Sequence, residues 1–281
     1  MMNHQYQVTT FRAAQQQRLR NVRIHSPSLI QIQSGSKKLF HKDDAINLSS
    51  TSLLLCEASA SLSFENLPEH GYFSSRLFSF TYRPTEAMLA LSASHDRPVM
   101  WPVISTSPSL KSSLNALASF DLSLISQETQ AYLLMVLYQQ LAEQGALHWL
   151  FESNSLPFEQ KLRNYLAQAP EEEHPLERVA THFAMSRATL IRRLKQHGTR
   201  YREVLAEVRV NHALNLMQSG QRNIAILAQC CGYQSEQRFN QRFRSQFGLS
   251  PKAYLQTLGI RGKGTPDKET KKQPILSNEL F

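Results

Sequence analysis

Residues 232–254 read GYQSEQRFNQRFRSQFGLSPKAY, and their spacing decides how the C-terminal part of the chain folds. Ser235 is a residue type that accepts a hydrogen bond from the first turn of a helix, Phe239 and Phe243 fall four apart on one face, and Gly248 suits the left-handed conformation that ends a helix. Just upstream, Ile224, Leu227, Ala228 and Cys231 mark one face of a shorter helix. Two short helices joined by a tight turn, the second capped and amphipathic, have the layout of a helix-turn-helix.

The same arrangement occurs earlier in the chain. Leu176, Val179, Ala180 and Phe183 mark a first helix, Ser186 caps a second, Leu190 and Leu194 face inward, and Gly198 stops it. The two units are expected at about 176–197 and 224–247. At 100° per residue, the face opposite Leu190 and Leu194 carries Ala188, Arg192 and Lys195, flanked by Thr189 and Gln196. Opposite Phe239 and Phe243 lie Gln237, Gln241 and Arg244, flanked by Arg238 and Ser245. Arg, Lys and Gln donate to guanine and adenine edges or grip phosphate, and Ala188 offers contact to a thymine methyl. Between the units, residues 200–220 approximate helical spacing. About 20 residues make a rod of roughly 30 Å, close to one turn of B-DNA, so a single chain can reach two successive major grooves.

Charge points to the same region. Of 281 residues, 31 are Lys or Arg and 22 Asp or Glu, a net charge of +9. Residues 1–157 hold 11 of each sign, residues 158–258 hold 15 basic against 8 acidic, and the remaining tail 5 against 3. A positive field confined to one region suits a polyanion, and 12 of the 15 are Arg, whose planar fork fits phosphates and base edges.

The region from about Phe158 to Leu258 resembles the DNA-binding domain of the AraC/XylS family of bacterial transcription regulators. The resemblance is carried by Leu176 with Ala180, by the series Ser186, Leu190, Arg192, Leu194 and Lys195, and by the GYxSxxxFxxxFxxxFGxSPxxY string from Gly232 to Tyr254. Two positions depart from the family pattern and keep its chemistry: Leu194 stands for the commoner aromatic and Arg244 for the usual Lys. The resemblance implies seven helices, a rigid linker helix, and binding to double-stranded promoter DNA with activation through RNA polymerase. It puts base-edge contacts on Ala188, Ile191 and Arg192 in the first unit and on Glu236, Gln237, Arg238 and Gln241 in the second. The helical period selects Ala188, Arg192, Gln237 and Gln241 independently, with Ile191 and Glu236 at the margin. Backbone contacts are expected at Ser186, Thr189, Lys195, Arg200, Arg202, Ser235, Arg242 and Arg244.

The first part of the chain reads as mostly β up to about residue 126. Short runs such as VRIHS, LIQIQ, LLLCEA, SLSFENL and YFSSRLFSFTY are separated by Ser, Gly, Pro, Asn and Asp. From Gln127 the period changes: Ala131, Leu134, Met135, Tyr138, Leu141 and Ala142 form one stripe of a helix expected to reach about Phe151. That stripe serves either a core or a homodimer seam through Leu134, Tyr138 and Leu141. The order is similar to family members with a cupin-like β domain that senses a small molecule, some of which bind fatty acids through Lys residues. Lys37 and Lys38 suit a carboxylate, although a Lys pair after Gly35 and Ser36 also reads as an exposed turn. A protein-interaction module governed by a regulatory partner is the alternative for this domain.

The fold class expected is therefore α+β: an N-terminal sensor or dimerisation domain over 1–156, a DNA-binding domain over 157–258 and a disordered tail over 259–281. Pro157 disfavours helix in the residue before it, which makes 154–157 a linker. The polar start MMNHQYQVTT and the short aliphatic runs exclude a secretory signal or a membrane span, so a cytoplasmic protein is expected. Cys56, Cys230 and Cys231 read as buried thiols. His25, His41, His70 and His95 are scattered, no HxH occurs, and no Gly-rich phosphate loop is present. No enzyme activity, no metal and no cofactor beyond a small effector is expected.

Overall fold

The computed structural model describes residues 4–41, 44–58, 60–95, 101–151 and 158–259. The linker expected at 154–157, the 156/157 boundary and residues 260–281 of the tail lie outside them.

Two antiparallel sheets make up the first part. One has the order β1 (Tyr6–Ala13), β8 (Phe73–Phe80), β3 (Ser28–Ser34), β6 (Ser52–Cys56), β9 (Val103–Ser105). The other has the order β2 (Gln17–Arg23), β7 (Ser61–Leu67), β4 (Ser36–His41), β5 (Asp44–Leu48). The runs expected as strands fall in β2, β3, β6, β7 and β8, although β2 ends at Arg23 and leaves Ile24–Ser26 outside it. The Lys pair is not an exposed turn. Gly35 makes the turn at φ +71°, and Lys37 and Lys38 lie within β4, where alternation sends Lys37 into the interior.

Helices α1 (Glu86–Ser94), α2 (Pro108–Ser119), α3 (Gln127–Glu143) and α4 (His148–Phe151) cover one face of the larger sheet. The helix expected to run unbroken from Gln127 is cut between α3 and α4. Gly145 there has φ +67°, and a Cβ on it would strike the His95 carbonyl. The stripe on α3 is core: Leu134, Tyr138 and Leu141 are fully buried against Phe80, Leu114 and Phe151, so none of the three is open to a second chain. Ser126 caps α3 through the Thr129 N–H, and the outward side of the helix exposes Tyr132 and Val136 instead.

Among the described residues seven helices follow, the number the family resemblance implies: α5 (Phe158–Leu166), α6 (Leu176–His182), α7 (Arg187–Gln196), α8 (Tyr201–Gln218), α9 (Ile224–Cys230), α10 (Glu236–Phe247) and α11 (Pro251–Thr257). The first helix pair is built on its own apolar cluster, with Leu162, Val179, Leu190 and Leu194 around Val204 and Val208 of α8. The second pair is not. Phe239, Phe243, Phe247 and Tyr254 belong to one continuous cluster with Val210, Ala213, Leu214 and Met217 of α8 and with Leu19, Ile30, Leu39, Phe64 and Phe73 of the sheets. Cys56 and Cys231 are buried in that cluster, whereas Cys230 is exposed, contrary to expectation, because this last position of α9, one residue before Cys231, points to a different side of the helix.

Candidate nucleic-acid interface

Each helix-turn-helix owes its sharp turn to one residue in the left-handed region. After α6 it is Ala184 at φ +49°, and after α9 it is Gly232 at φ +72°. The chain then reverses onto the preceding helix, with Met185 N–H donating to Ala180 O at 3.0 Å and Tyr233 N–H to Ala228 O at 2.9 Å. Ser186 caps α7 by accepting from Thr189 N–H at 3.1 Å, and Ser235 caps α10 by accepting from Arg238 N–H at 3.3 Å. The units differ in length by one residue: Ser186 stands two positions past Ala184 and Ser235 three past Gly232.

The caps fix how each helix is rotated, and the outward faces follow. On α7, Ala188, Ile191, Arg192 and Lys195 are exposed while Leu190 and Leu194 are buried. On α10, Glu236, Gln237, Arg238, Gln241, Arg242 and Arg244 are exposed while Phe239, Phe243 and Phe247 are buried. Ser186, Arg200 and Arg202 are exposed, and Thr189 and Ser235 are half-buried by their capping bonds. Ile191 presents 46% of its surface to solvent, unusual for an isoleucine and suited to contact with a thymine methyl. α8 separates the two units by 18 residues, roughly 27 Å of helix.

Not every arginine of this region faces outward. Arg209 on α8 donates to Pro170 O at 3.0 Å and Glu172 O at 2.9 Å, and its guanidinium occupies the space that a side chain on Gly232 would need. Arg163 is buried and pairs with Glu207 at 3.0 Å, and Arg23 of β2 reaches the same carboxylate at 3.5 Å. His25 sits beside this group with both ring nitrogens closed off from solvent and, among the described residues, without a hydrogen-bond partner. Burial, reinforced by Arg163 and Arg23, lowers its pKa to about 4.

A second site lies where the smaller sheet meets α8 and α11. Lys37 is 3% exposed; its Nζ donates to Asn66 Oδ1 and sits 3.5 Å from the centroid of the Phe64 ring. Asn66 Nδ2 donates to Gln17 Oε1 at 3.0 Å, and Gln17 Nε2 donates to Thr257 Oγ1 at 2.5 Å, so an unbroken polar chain runs from β4 to α11. Burial pulls the Lys37 pKa down to about 7. Beside it is an apolar cavity of about 70 Å³, lined by Leu19, Ile30, Leu62, Phe64, Leu214 and Tyr254 among others, with room for a few waters and no more. Lys38, on the opposite side of β4, lies near Phe40 and takes no part. Asn66, Gln17 and Thr257 carry no sequence signal as partners, since they are ordinary polar residues whose meeting depends on long-range packing.

Among the described residues no group of three or more His, Cys, Asp or Glu is placed to hold a metal, and no helix is long and apolar enough to cross a membrane.

Residues 179–257 match the family model described as a helix-turn-helix domain. Residues 179–257 are an AraC/XylS-type helix-turn-helix domain. The chain is similar to the transcriptional regulator GadX of Escherichia coli O6:H1, 35% identical over 82 residues, 29% of this chain and 30% of that one. The porin thermoregulatory protein EnvY of Escherichia coli K12 is 34% identical over 77 residues, 27% of this chain and 30% of that one. The chain thus spans about a third of the length of these curated relatives. Over most of its length it shares a fold with ToxT of Vibrio cholerae, at a TM-score of 0.61, 16% identity and coverage of 91% of this chain and 100% of that one. ToxT with an unsaturated fatty acid bound gives a TM-score of 0.60, 16% identity and coverage of 92% and 97%. At that identity the likeness is one of fold: a β-rich first part with two sheets, then helices that carry the AraC/XylS-type domain.

Proposed function

We propose that this chain is a sequence-specific transcription regulator that activates promoters by contact with RNA polymerase, reading double-stranded DNA with α7 and α10. The observation that carries this is the pair of capped helices whose exposed sets, Ala188, Arg192 and Lys195 against Gln237, Gln241 and Arg244, occupy equal offsets around buried Leu190, Leu194, Phe239 and Phe243. Ile191, Glu236 and Arg238 complete the base-reading set, and Ser186, Thr189, Arg200, Arg202, Ser235 and Arg242 hold the backbone. The sensor unit is residues 1–156, the DNA-binding unit 157–258, and the remainder a tail.

Control enters through the seam between the units. Lys37 is buried on the wall of an apolar cavity with no carboxylate beside it among the described residues, and a lysine so placed lowers stability, because burial penalises the charged form. Its placement there, against the cavity wall, favours a ligand that supplies the missing anion. A small molecule with a carboxylate and an apolar body, such as a fatty acid, matches Lys37 and the walls of the cavity, and the fatty acid bound to ToxT is in keeping with that chemistry. Because the cavity admits only a few waters, entry of such an effector moves Leu214 or Tyr254 and with them the helices that read DNA.

A second reading, control by a homodimer or a regulatory protein, draws on the exposed Tyr132 and Val136 of α3, at 73% and 55%. They stand one turn apart on a face that the core does not use.

Selection of duplexes from a random-sequence pool tests the DNA reading. The unaltered chain is expected to enrich a bipartite site. Arg192→Ala and Gln237→Ala are each expected to lose about 1–3 kcal/mol of specific affinity, at one half-site apiece, with little change in non-specific binding. Equal enrichment by both variants would show that α7 and α10 do not read bases.

A further inference from the structure

β2 is irregular between Leu19 and Val22, where its register against β7 shifts, and Asn21 there adopts φ +53°. The bulge pushes Arg20 and Asn21 out of the sheet and against the last turn of α10. Asn21 O accepts from Gln246 Nε2 at 2.7 Å, Asn21 Nδ2 donates to Gln246 O at 3.4 Å, and Arg20 Nη2 donates to Ser245 O at 3.4 Å. The final carbonyls of a helix have no partners within it and form its negative end, so a guanidinium and an amide placed there stabilise the turn. Gly248, which ends α10 at φ +89°, leaves the space beside which the Arg20 stem passes.

One long hydrogen bond leaves most of the five guanidinium donors of Arg20 unused. Arg20 is exposed, and together with Gln241, Arg244, Ser245, Ser250 and Lys252 it lines an open recess at the side of the recognition helix. The recess holds three cations and no carboxylate among the described residues, and Gln241 and Arg244 make it continuous with the base-reading face.

We propose that Arg20 is a DNA-backbone contact contributed by the N-terminal β part of the chain: its guanidinium, with Arg244 and Lys252, grips a phosphate beside the bases read by α10. The docked arrangement of sheet and helix is then the DNA-binding one, and the sensor part adds affinity directly instead of acting only through α8 and α11. The proposal rests on the DNA-binding reading above.

The test uses the full-length protein and a duplex that it selects from a random pool, with a shuffled duplex beside it, titrated between about 50 and about 200 mM salt. Arg20→Ala is expected to weaken both duplexes by the same factor and to flatten the slope of log affinity against log salt by about 0.9, the signature of one lost phosphate contact. Arg20→Lys should restore the slope. Arg20→Gln, which keeps a donor for Ser245 O without the charge, should behave like Arg20→Ala; if it binds like the unaltered chain, the residue only positions the helix end and the proposal fails. Lys111→Ala, a charge loss on α2, is the control, and an Arg20→Ala slope matching it overturns the proposal. Tighter binding by Arg20→Ala would also overturn it, making the contact a restraint on α10. If the unaltered chain selects no duplex at all, the DNA-binding reading itself falls, an outcome distinct from these.

Discussion

The Lys37 amine on β4 and the Asn66 side chain on β7 are joined by a hydrogen bond in a buried space beside the Phe64 ring. The bond satisfies one donor of the amine but brings no negative charge, and burial holds the pKa of Lys37 near 7, against 10.5 in an unfolded chain. Between those values the unfolded chain binds the proton and the folded chain does not, so this residue subtracts stability at neutral pH and ceases to do so above about pH 10.5.

A carboxylate entering beside Lys37 reverses that balance. Binding of decanoate at pH 8 is therefore expected to be accompanied by uptake of close to one proton, read from the dependence of calorimetric heat on buffer ionisation enthalpy. Lys37→Met should abolish the uptake and, by removing a penalised amine, make the protein more stable to urea at pH 7 by on the order of 2 kcal/mol. Proton uptake that persists in Lys37→Met would assign the anion site elsewhere.

His25 gives a pH dependence of its own. Its folded pKa, about 4, lies below the usual 6.5, so the unfolded chain takes up the proton first as pH falls. Stability contributed by neutral His25 is complete above about pH 6.5 and is lost progressively toward pH 4, by on the order of 2 kcal/mol. Urea midpoints measured across that range should fall in the unaltered chain and fall distinctly less in His25→Leu. Parallel curves for the two proteins would remove His25 as the cause.

Ala184 holds the left-handed conformation that glycine supplies at Gly232. Ala184→Gly is expected to stabilise the chain by up to about 1 kcal/mol, since relief of the backbone strain exceeds the added freedom of the unfolded chain. Thermal unfolding should shift upward, with DNA affinity unchanged. A lower midpoint would mean that the Ala184 methyl packs usefully in the turn.

The helical region was legible because its signal is local. Leu190 with Leu194 and Phe239 with Phe243 set the rotation of α7 and α10, and every side chain placed outward by the period is at least partly exposed. The sheets were harder to read. β1 carries Gln7, Thr9, Thr10 and Arg12 among its apolar residues, and α2 opens with Pro108 and Ser109, so neither announces its type. Leu134, Tyr138 and Leu141 illustrate a limit of a different kind: an apolar stripe fixes which side of a helix is covered, not whether a sheet or a second chain covers it. The polar chain from Lys37 through Asn66 and Gln17 to Thr257 joins residues as much as 240 positions apart, and no window of sequence contains such a relation.

The apolar cluster that the second helix pair shares with the sheets has a mechanical consequence. α8 is divided in its service, its first half filling the interior of the first helix pair and its second half filling the cluster common to α10 and the sheets. The α10 unit thus shares its apolar interior with the sheets, whereas the α7 unit meets the β part through polar side chains, as where Arg23 reaches Glu207. If α7 and α10 read DNA as proposed, a bend in α8 is expected to displace α7 more than α10, so tolerance to changes in half-site spacing is expected at the α7 end of the target and the register is expected to be set at the α10 end.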